Sequence, residues 1–188
     1  MAPTPPNPCP KGTKERLIAA MIRVIGTEGP HAASVRTIAR EAECNEAVLY
    51  QHFPNKAAMQ QAIWEEIAAD MAAVLEPIAS ESASPEAFVR SWTNAVLTYY
   101  DEHPNAFAFA VFTFPPINSG SGTSFESFDD TFFQGLHSAA LRSDSPAKAL
   151  VRSIMLGVPR EIHLGSLEGP AVAHKDRVSE LLLAAITP

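Results

Sequence analysis

The chain alternates between apolar stripes spaced three and four residues apart and short breaks built from Pro, Gly, Ser and Asn. No stretch of useful length shows the every-second-residue alternation of a half-buried strand, so the periodicity predicts helices throughout. A first helix is predicted from about Lys14 to Glu28, with Leu17, Met21 and Val24 on one face and Ile18, Ile22 and Ile25 beside it. Thr13 is its expected cap and Gly29-Pro30 its stop. Ser34 is a good cap for a second helix that turns Val35, Ile38, Ala39 and Ala42 inward. After the break Glu43-Cys44-Asn45, Asn45 caps a third helix that ends near His52, with Val48 and Leu49 as apolar contacts. Beyond Pro54-Asn55, a long fourth helix from Lys56 to about Glu76 carries Met59, Ile63, Ile67, Met71 and Val74 inward.

Pro77 and the Ser-rich stretch 80–84 mark the next break. Ser84-Pro85-Glu86 combines a cap, a first-turn proline and an acid near a helix N-terminus. It opens a fifth helix lined by Phe88, Trp92, Val96 and Tyr99. His103-Pro104 ends that helix and starts a short sixth, to about Phe114; Pro115-Pro116 and the Gly- and Ser-rich run 118–124 read as a loop. A seventh helix is expected over about 125–142, with Phe125, Phe128, Phe132 and Leu136 on one face. An eighth runs from Ser145-Pro146 to about Leu167, interrupted at Gly157-Val158-Pro159, and a last one covers roughly 172–186. The predicted fold class is all-α, about nine helices, without internal repeats.

Composition supports a folded chain. Of 188 residues, 46% are apolar and 19% charged, enough to build a core. No apolar run approaches the roughly 20 residues that cross a bilayer. Residues 1–12 hold five of the 16 prolines and no apolar segment of the secretory type, so they are expected to form a flexible arm. Two cysteines, Cys9 and Cys44, cannot build a disulfide framework, and the default is a soluble, reduced, cytoplasmic protein. The net charge of −7 is unevenly spread. Residues 1–56 carry seven bases against five acids, +2, and the remainder is −9. Two regions with different electrostatics imply different partners.

The second helix, its turn and the third helix together span about 18 residues, the spacing of a helix-turn-helix whose second helix enters a major groove. Around that spacing stand Ser34-Val35-Arg36-Thr37-Ile38-Ala39, then Ala42, then Val48-Leu49-Tyr50-Gln51-His52-Phe53-Pro54-Asn55-Lys56. This series, and above all the string Tyr-x-His-Phe-x-x-Lys, resembles the tetracycline-repressor (TetR) family of bacterial regulators over about residues 13–70. The resemblance implies an N-terminal three-helix DNA-binding domain, 13–56, joined by a long helix to a C-terminal helical ligand-binding and dimerisation domain, 57–188. It places base-reading positions on Arg36, Glu46, Ala47, Val48 and Gln51. Thr37 and Asn45 complete the expected DNA surface with the phosphate-facing groups. Among these, Ser34 offers a hydroxyl at a helix N-terminus, Tyr50 and His52 can donate to phosphate oxygens, and Lys56 supplies charge.

Two residues depart from the pattern. Glu43 stands where the family usually has Gly in the turn, and a Cβ strains a left-handed backbone. The recognition helix, Glu46 to His52, contains no Lys or Arg. Glu46 repels phosphate but can accept from a cytosine amino group.

Eight of the ten Phe lie at or between 107 and 133. With Trp92 and Tyr99, the residues Phe107, Phe112, Phe128 and Phe132 are candidates to line an apolar cavity, although such stripes commonly just fill a core. The resemblance implies that a small hydrophobic molecule binds in this domain and that the last two helices pair two copies into a homodimer. A palindromic double-stranded operator follows from that two-fold symmetry. No HExxH, CxxC, GxSxG or glycine-rich phosphate loop is present, and the six histidines show no metal spacing. No catalytic, metal or cofactor site is therefore expected. The expected function is a sequence-specific DNA-binding transcriptional regulator, a repressor released by a small hydrophobic ligand. The alternative is a dimeric helical ligand-binding or interaction module with a degenerate DNA-binding head.

Overall fold

The structure is a computed structural model, which describes residues 12–113, Phe132, Phe133, Gly135, Leu136 and residues 145–187. Within them the chain is all-helical. The helices are α1 (Thr13–Glu28), α2 (Val35–Glu41), α3 (Glu46–His52), α4 (Lys56–Glu81), α5 (Pro85–Glu102), α6 (Pro104–Phe107), α7 (Ser145–His163) and α8 (Lys175–Ile186). A π-helical segment, Ala108–Thr113, continues α6, and a 3-10 turn, Ala171–His174, leads into α8. The seventh helix, expected over 125–142, and the arm 1–11 lie, apart from the four residues named above, outside the described residues. The chain divides into two compact units between Glu65 and Glu66, inside α4 and beyond the expected limit at 56/57.

In the first unit, Leu17, Met21, Ile38, Leu49, Met59 and Ile63 are fully buried. Its helices start as their sequences dictate. Ser34 Oγ accepts from the Thr37 amide at 3.0 Å, Asn45 Oδ1 from Val48 at 3.0 Å, and Asn55 Oδ1 from Ala58 at 2.8 Å. One expected cap is replaced: Gly12, at φ 89°, stands at the N-terminus of α1, and Thr13 is already helical and buried. Without a hydroxyl to cap it, this end takes its turn from glycine's left-handed freedom.

Pro77, expected to mark a break, does not end its helix, whereas the helix expected to run past Pro159 does so and stops at His163 rather than near Leu167. Pro77 lies inside α4, which runs on to Glu81, and Pro159 lies inside α7. A proline costs one ladder bond but does not end a helix whose apolar positions remain packed. Leu75, Ile78 and Ala79 are such positions on either side of Pro77. Val74, expected inward, is 44% exposed, and Leu75 takes the buried position instead.

The core of the second unit gathers Phe88, Trp92, Val96 and Leu97 of α5 with Phe107 of α6 and with Phe132. Val151 and Met155 of α7 and Val178, Leu182 and Ile186 of α8 complete it. Asp101 ties the segment before α8 to α5, because its carboxylate accepts from the amides of Ala171 at 2.7 Å and Val172 at 2.9 Å. These amides open the 3-10 turn and have no partner of their own within it. Thr93 is fully buried and its hydroxyl has no hydrogen-bond partner among the described residues. Leaving a hydroxyl unpaired in a core costs about 1–3 kcal/mol. Thr93→Val is isosteric and removes that group, so it is expected to raise the unfolding free energy by about 1 kcal/mol in urea titration.

Candidate functional site

The two short helices of the first unit hold the candidate nucleic-acid surface. In α3 the positions Glu46, Ala47, Tyr50 and Gln51 fall at i, i+1, i+4 and i+5 and are all exposed, whereas Leu49 is fully buried. This is one solvent face of a seven-residue helix whose other face is core. Tyr50, 53% exposed, presents a large ring and its hydroxyl to solvent. Val48 lies on the inner face, 6% exposed, so this base-reading position of the family's pattern is occupied here by a core side chain. Asn45 is spent on its cap, its amide oxygen held by Val48 N. Glu46, at the first position of α3, complements the helix dipole.

In α2, Arg36 is exposed and Thr37 half-buried, with the Thr37 and Ser34 hydroxyls 2.8 Å apart. His52 is exposed and Lys56 half-buried. Lys56 opens α4, where the helix dipole disfavours a cation. An anion there would meet both the ammonium and the free amides of the first turn.

Ion pairing sorts the bases of this unit. Arg23 binds Glu41 at 2.7 Å and Arg16 binds Glu43 at 3.1 Å. Arg36, Arg40 and Lys56 make no ion pair among the described residues, and Lys14 lies over the Phe53 ring at 5.9 Å. Sequence reasoning misses Arg40. The signal that finds it is spacing, since Arg36 and Arg40 are i and i+4 on one exposed face of α2.

The bend from α2 to α3 is a Schellman turn. Cys44 N donates to Ala39 O at 2.9 Å and Glu43 N to Arg40 O at 3.1 Å, with Ala42 as the C-cap residue. Glu43 holds the left-handed position at φ 53°, as the departure from Gly in the sequence foretells, and no other non-glycine residue described has a positive φ. For an L-residue this costs roughly 1–2 kcal/mol.

The candidate ligand residues separate into groups. Trp92 and Phe132 pack with Phe88 at ring-centroid distances of 5.3–5.7 Å, all three fully buried. Phe107 lies between Tyr100, at 5.4 Å, and Phe112, at 5.7 Å. Phe112, half-buried in the π-helical segment, also faces His163 at 5.7 Å. Tyr99 stands against His103 at 5.0 Å. Phe128 lies outside the described residues. An open groove of about 450 Å³ in this unit is lined by Ile78, Arg90, Asn94, Lys175 and Asp176 among others, none of them aromatic. No group of three metal-ligating side chains occurs among the described residues, and no helix there is long and apolar enough to cross a membrane.

With the geometry in place, comparison with known proteins gives a consistent result. Residues 17–63 match the family model of bacterial regulatory proteins, tetR family. No curated protein sequence matches the chain. Among solved structures, a TetR family transcription regulator from Marinobacter aquaeolei VT8 aligns at TM-score 0.72 and 17% identity, over 93% of this chain and 95% of that one. The ketosteroid transcriptional regulator KstR2 of Mycobacterium tuberculosis aligns at 0.69 and 17%, over 95% and 96%. The fatty acid degradation regulator FadR from Bacillus halodurans aligns at 0.65 and 18%, over 96% and 97%. Residues 17–63 are thus similar to the DNA-binding domain of the tetR family, and the chain as a whole shares the fold of solved regulators of that family.

Burial, and secondarily the Asp70 carboxylate, push the Tyr99 phenol up from 10.0 to about 12. The unfolded chain loses this proton first. The contribution of Tyr99 to stability is therefore full below pH 10 and is lost as pH rises toward 12. Tyr99→Phe is expected to flatten the fall in unfolding free energy between those limits, read from urea titrations at stepped pH.

Proposed function

We propose that the protein represses transcription as a homodimer that reads a palindromic operator and releases it on binding a small hydrophobic molecule. The observation that carries the DNA-reading part is the outward face of α3, Glu46, Ala47, Tyr50 and Gln51. It stands in a unit whose Arg36, Arg40 and Lys56 have no acidic partner among the described residues. The α3 face reads bases, with Glu46 accepting from a cytosine amino group. Arg36 has the reach for a guanine edge, and Ser34, Thr37, Tyr50, His52 and Lys56 hold the phosphates. Acting on DNA, the protein works in the cytoplasm.

Dimerisation is supported by α7 and α8. Ala147, Val151 and Met155 are buried, yet the apolar arc of α7 continues through Ile154, Val158 and Ile162 to Leu150, which is 52% exposed. Leu181 on α8 is 41% exposed beside the buried Leu182. These apolar edges exceed what one chain covers, and a second copy supplies the cover. Two copies also double a small set of phosphate contacts and present two half-sites about 34–36 Å apart.

Duplexes selected from a random pool at low and moderate salt are expected to yield a palindrome. A chain with Tyr50→Phe and Lys56→Ala together is expected to lose it. Absence of enrichment at either salt would favour a ligand-binding module with a degenerate head.

The effector site is built on the aromatic groups Trp92–Phe132 and Phe107–Phe112 and on Tyr99, with Phe128, outside the described residues, a further candidate from the sequence. Support comes from the half-buried Phe112 on a π-helical segment, a local distortion frequent at functional sites. The resemblance in fold to regulators named for fatty acid degradation and ketosteroids favours an elongated apolar compound. Effector and operator are coupled through states that differ in recognition-helix spacing, with α4, which spans the division between the units, transmitting the change. In a Trp64→Phe chain, the fluorescence of Trp92 is expected to respond to one class in a panel of fatty acids and steroids. The same compound is expected to weaken duplex binding. A compound that binds tightly and leaves duplex affinity unchanged would sink the coupling.

A further inference from the structure

Glu43 is held left-handed by more than its own turn. The two backbone bonds of the Schellman motif form equally well around glycine, so they do not explain how a residue with a Cβ stays there. What this chain adds is Arg16, from the first turns of α1. Its Nη2 donates to Ala42 O at 2.6 Å and to Glu43 Oε2 at 3.1 Å.

Those two acceptors lie on opposite sides of one bond. Ala42 O fixes the plane of the peptide that precedes Glu43, and the carboxylate hangs from the Glu43 Cα. The backbone torsion between them is the φ angle of Glu43, which stands at 53°, followed by the torsions of the Glu43 side chain. One guanidinium nitrogen therefore clamps the torsion that is disfavoured. The two arms are unequal. The Glu43 side chain is 85% exposed, and an ion pair in water contributes little. The bond to Ala42 O is partly buried, short and charge-assisted, and it serves a carbonyl at the C-terminal end of α2 that no helix bond satisfies.

We infer that Arg16 is a positioning residue for the recognition helix, a clamp that does for Glu43 what glycine does without help. The angle at which α3 leaves α2 depends on this torsion, so loss of the clamp misplaces the face Glu46, Ala47, Tyr50 and Gln51. This rests on the DNA-reading role proposed for that face.

A coupling experiment on the full chain tests the clamp. Arg16→Ala is made with Glu43 in place and again with Glu43→Gly. Two readouts are taken: amide exchange at Cys44 relative to Leu49, and affinity for duplexes that the unsubstituted chain selects from a random pool. With Glu43 present, Arg16→Ala is expected to speed Cys44 exchange about tenfold and weaken duplex binding about tenfold. In the Glu43→Gly background both effects shrink to within about threefold, because glycine needs no clamp.

Equal losses in both backgrounds would make Arg16 a generic structural or phosphate-binding residue and overturn the inference. So would unchanged exchange at Cys44, or faster exchange with duplex affinity intact. If the unsubstituted chain selects no duplex, the DNA reading fails, and the exchange data alone decide whether the clamp exists. Should Arg16→Ala not fold beside Glu43, Arg16→Gln replaces it in both backgrounds.

Discussion

The first unit is governed by the shortness of its working helices. Seven residues make two turns, well below the length at which a helix holds itself together in water. Every other feature of the unit answers that deficit. Ser34 and Asn45 satisfy amides at the two N-termini, and the Schellman bonds satisfy carbonyls between them. Ile38 and Leu49 anchor one face of each helix in a core built largely by α1. Helix α1 has sixteen residues, so it can serve as the support on which the shorter helices are arranged. The consequence for function is that one face of α3 is wholly committed to packing. What remains for DNA is the narrow strip at i, i+1, i+4 and i+5.

The second unit has the opposite problem, an excess of apolar surface. Its aromatic side chains are drawn into mutual contact, Phe88 with Trp92 and Phe132, and Phe107 with Tyr100 and Phe112. A core of this kind buries large rings at favourable tilted geometries. Still, it leaves Phe112 only half covered and leaves Leu150 and Leu181 in water. Such unfinished burial is what a binding surface costs a monomer. Asp101 works against the looseness by fastening the start of α8 to α5 through two backbone amides. It thereby sets where the exposed edge of α8 stands relative to the core.

Local chemistry makes most helix boundaries legible. Ser34, Asn45 and Ser84 act as caps because each residue carries its own signal, an oxygen that can reach back to an amide. The positions Glu46, Ala47 and Gln51 come from the resemblance, and the helix turns them outward with Tyr50 while Leu49 turns inward. The misreadings share one cause, which is that long-range packing outweighs a local rule. By the local rule Pro77 is a stop, but the packed residues around it carry α4 onward. By the same kind of rule Thr13 is a cap, but its side chain is buried and Gly12 provides the turn. Val48 is asked to be both core and base reader, and one helix face cannot serve both. Arg16 is not legible at all, because its acceptors lie 26 and 27 residues away and only the fold brings them together.

Charge in the first unit follows a similar division of labour. The formal excess over residues 1–56 is only +2, which would make a weak attractant for a polyanion if it were spread evenly. It is not spread evenly. Arg16 and Arg23 are paired with acids and serve the fold, while Arg36, Arg40 and Lys56 make no ion pair among the described residues. Glu41 and Glu43 therefore subtract little from the surface that matters, because each neutralises a base that already has structural work. The acid that does face outward on the α3 strip is Glu46, at the start of that helix. A head with these few cations and a carboxylate in its reading face is poor at holding DNA of arbitrary sequence. In the DNA-reading role proposed for it, such a head gains most from a site whose base edges meet that carboxylate, which shifts the balance from non-specific attraction toward recognition.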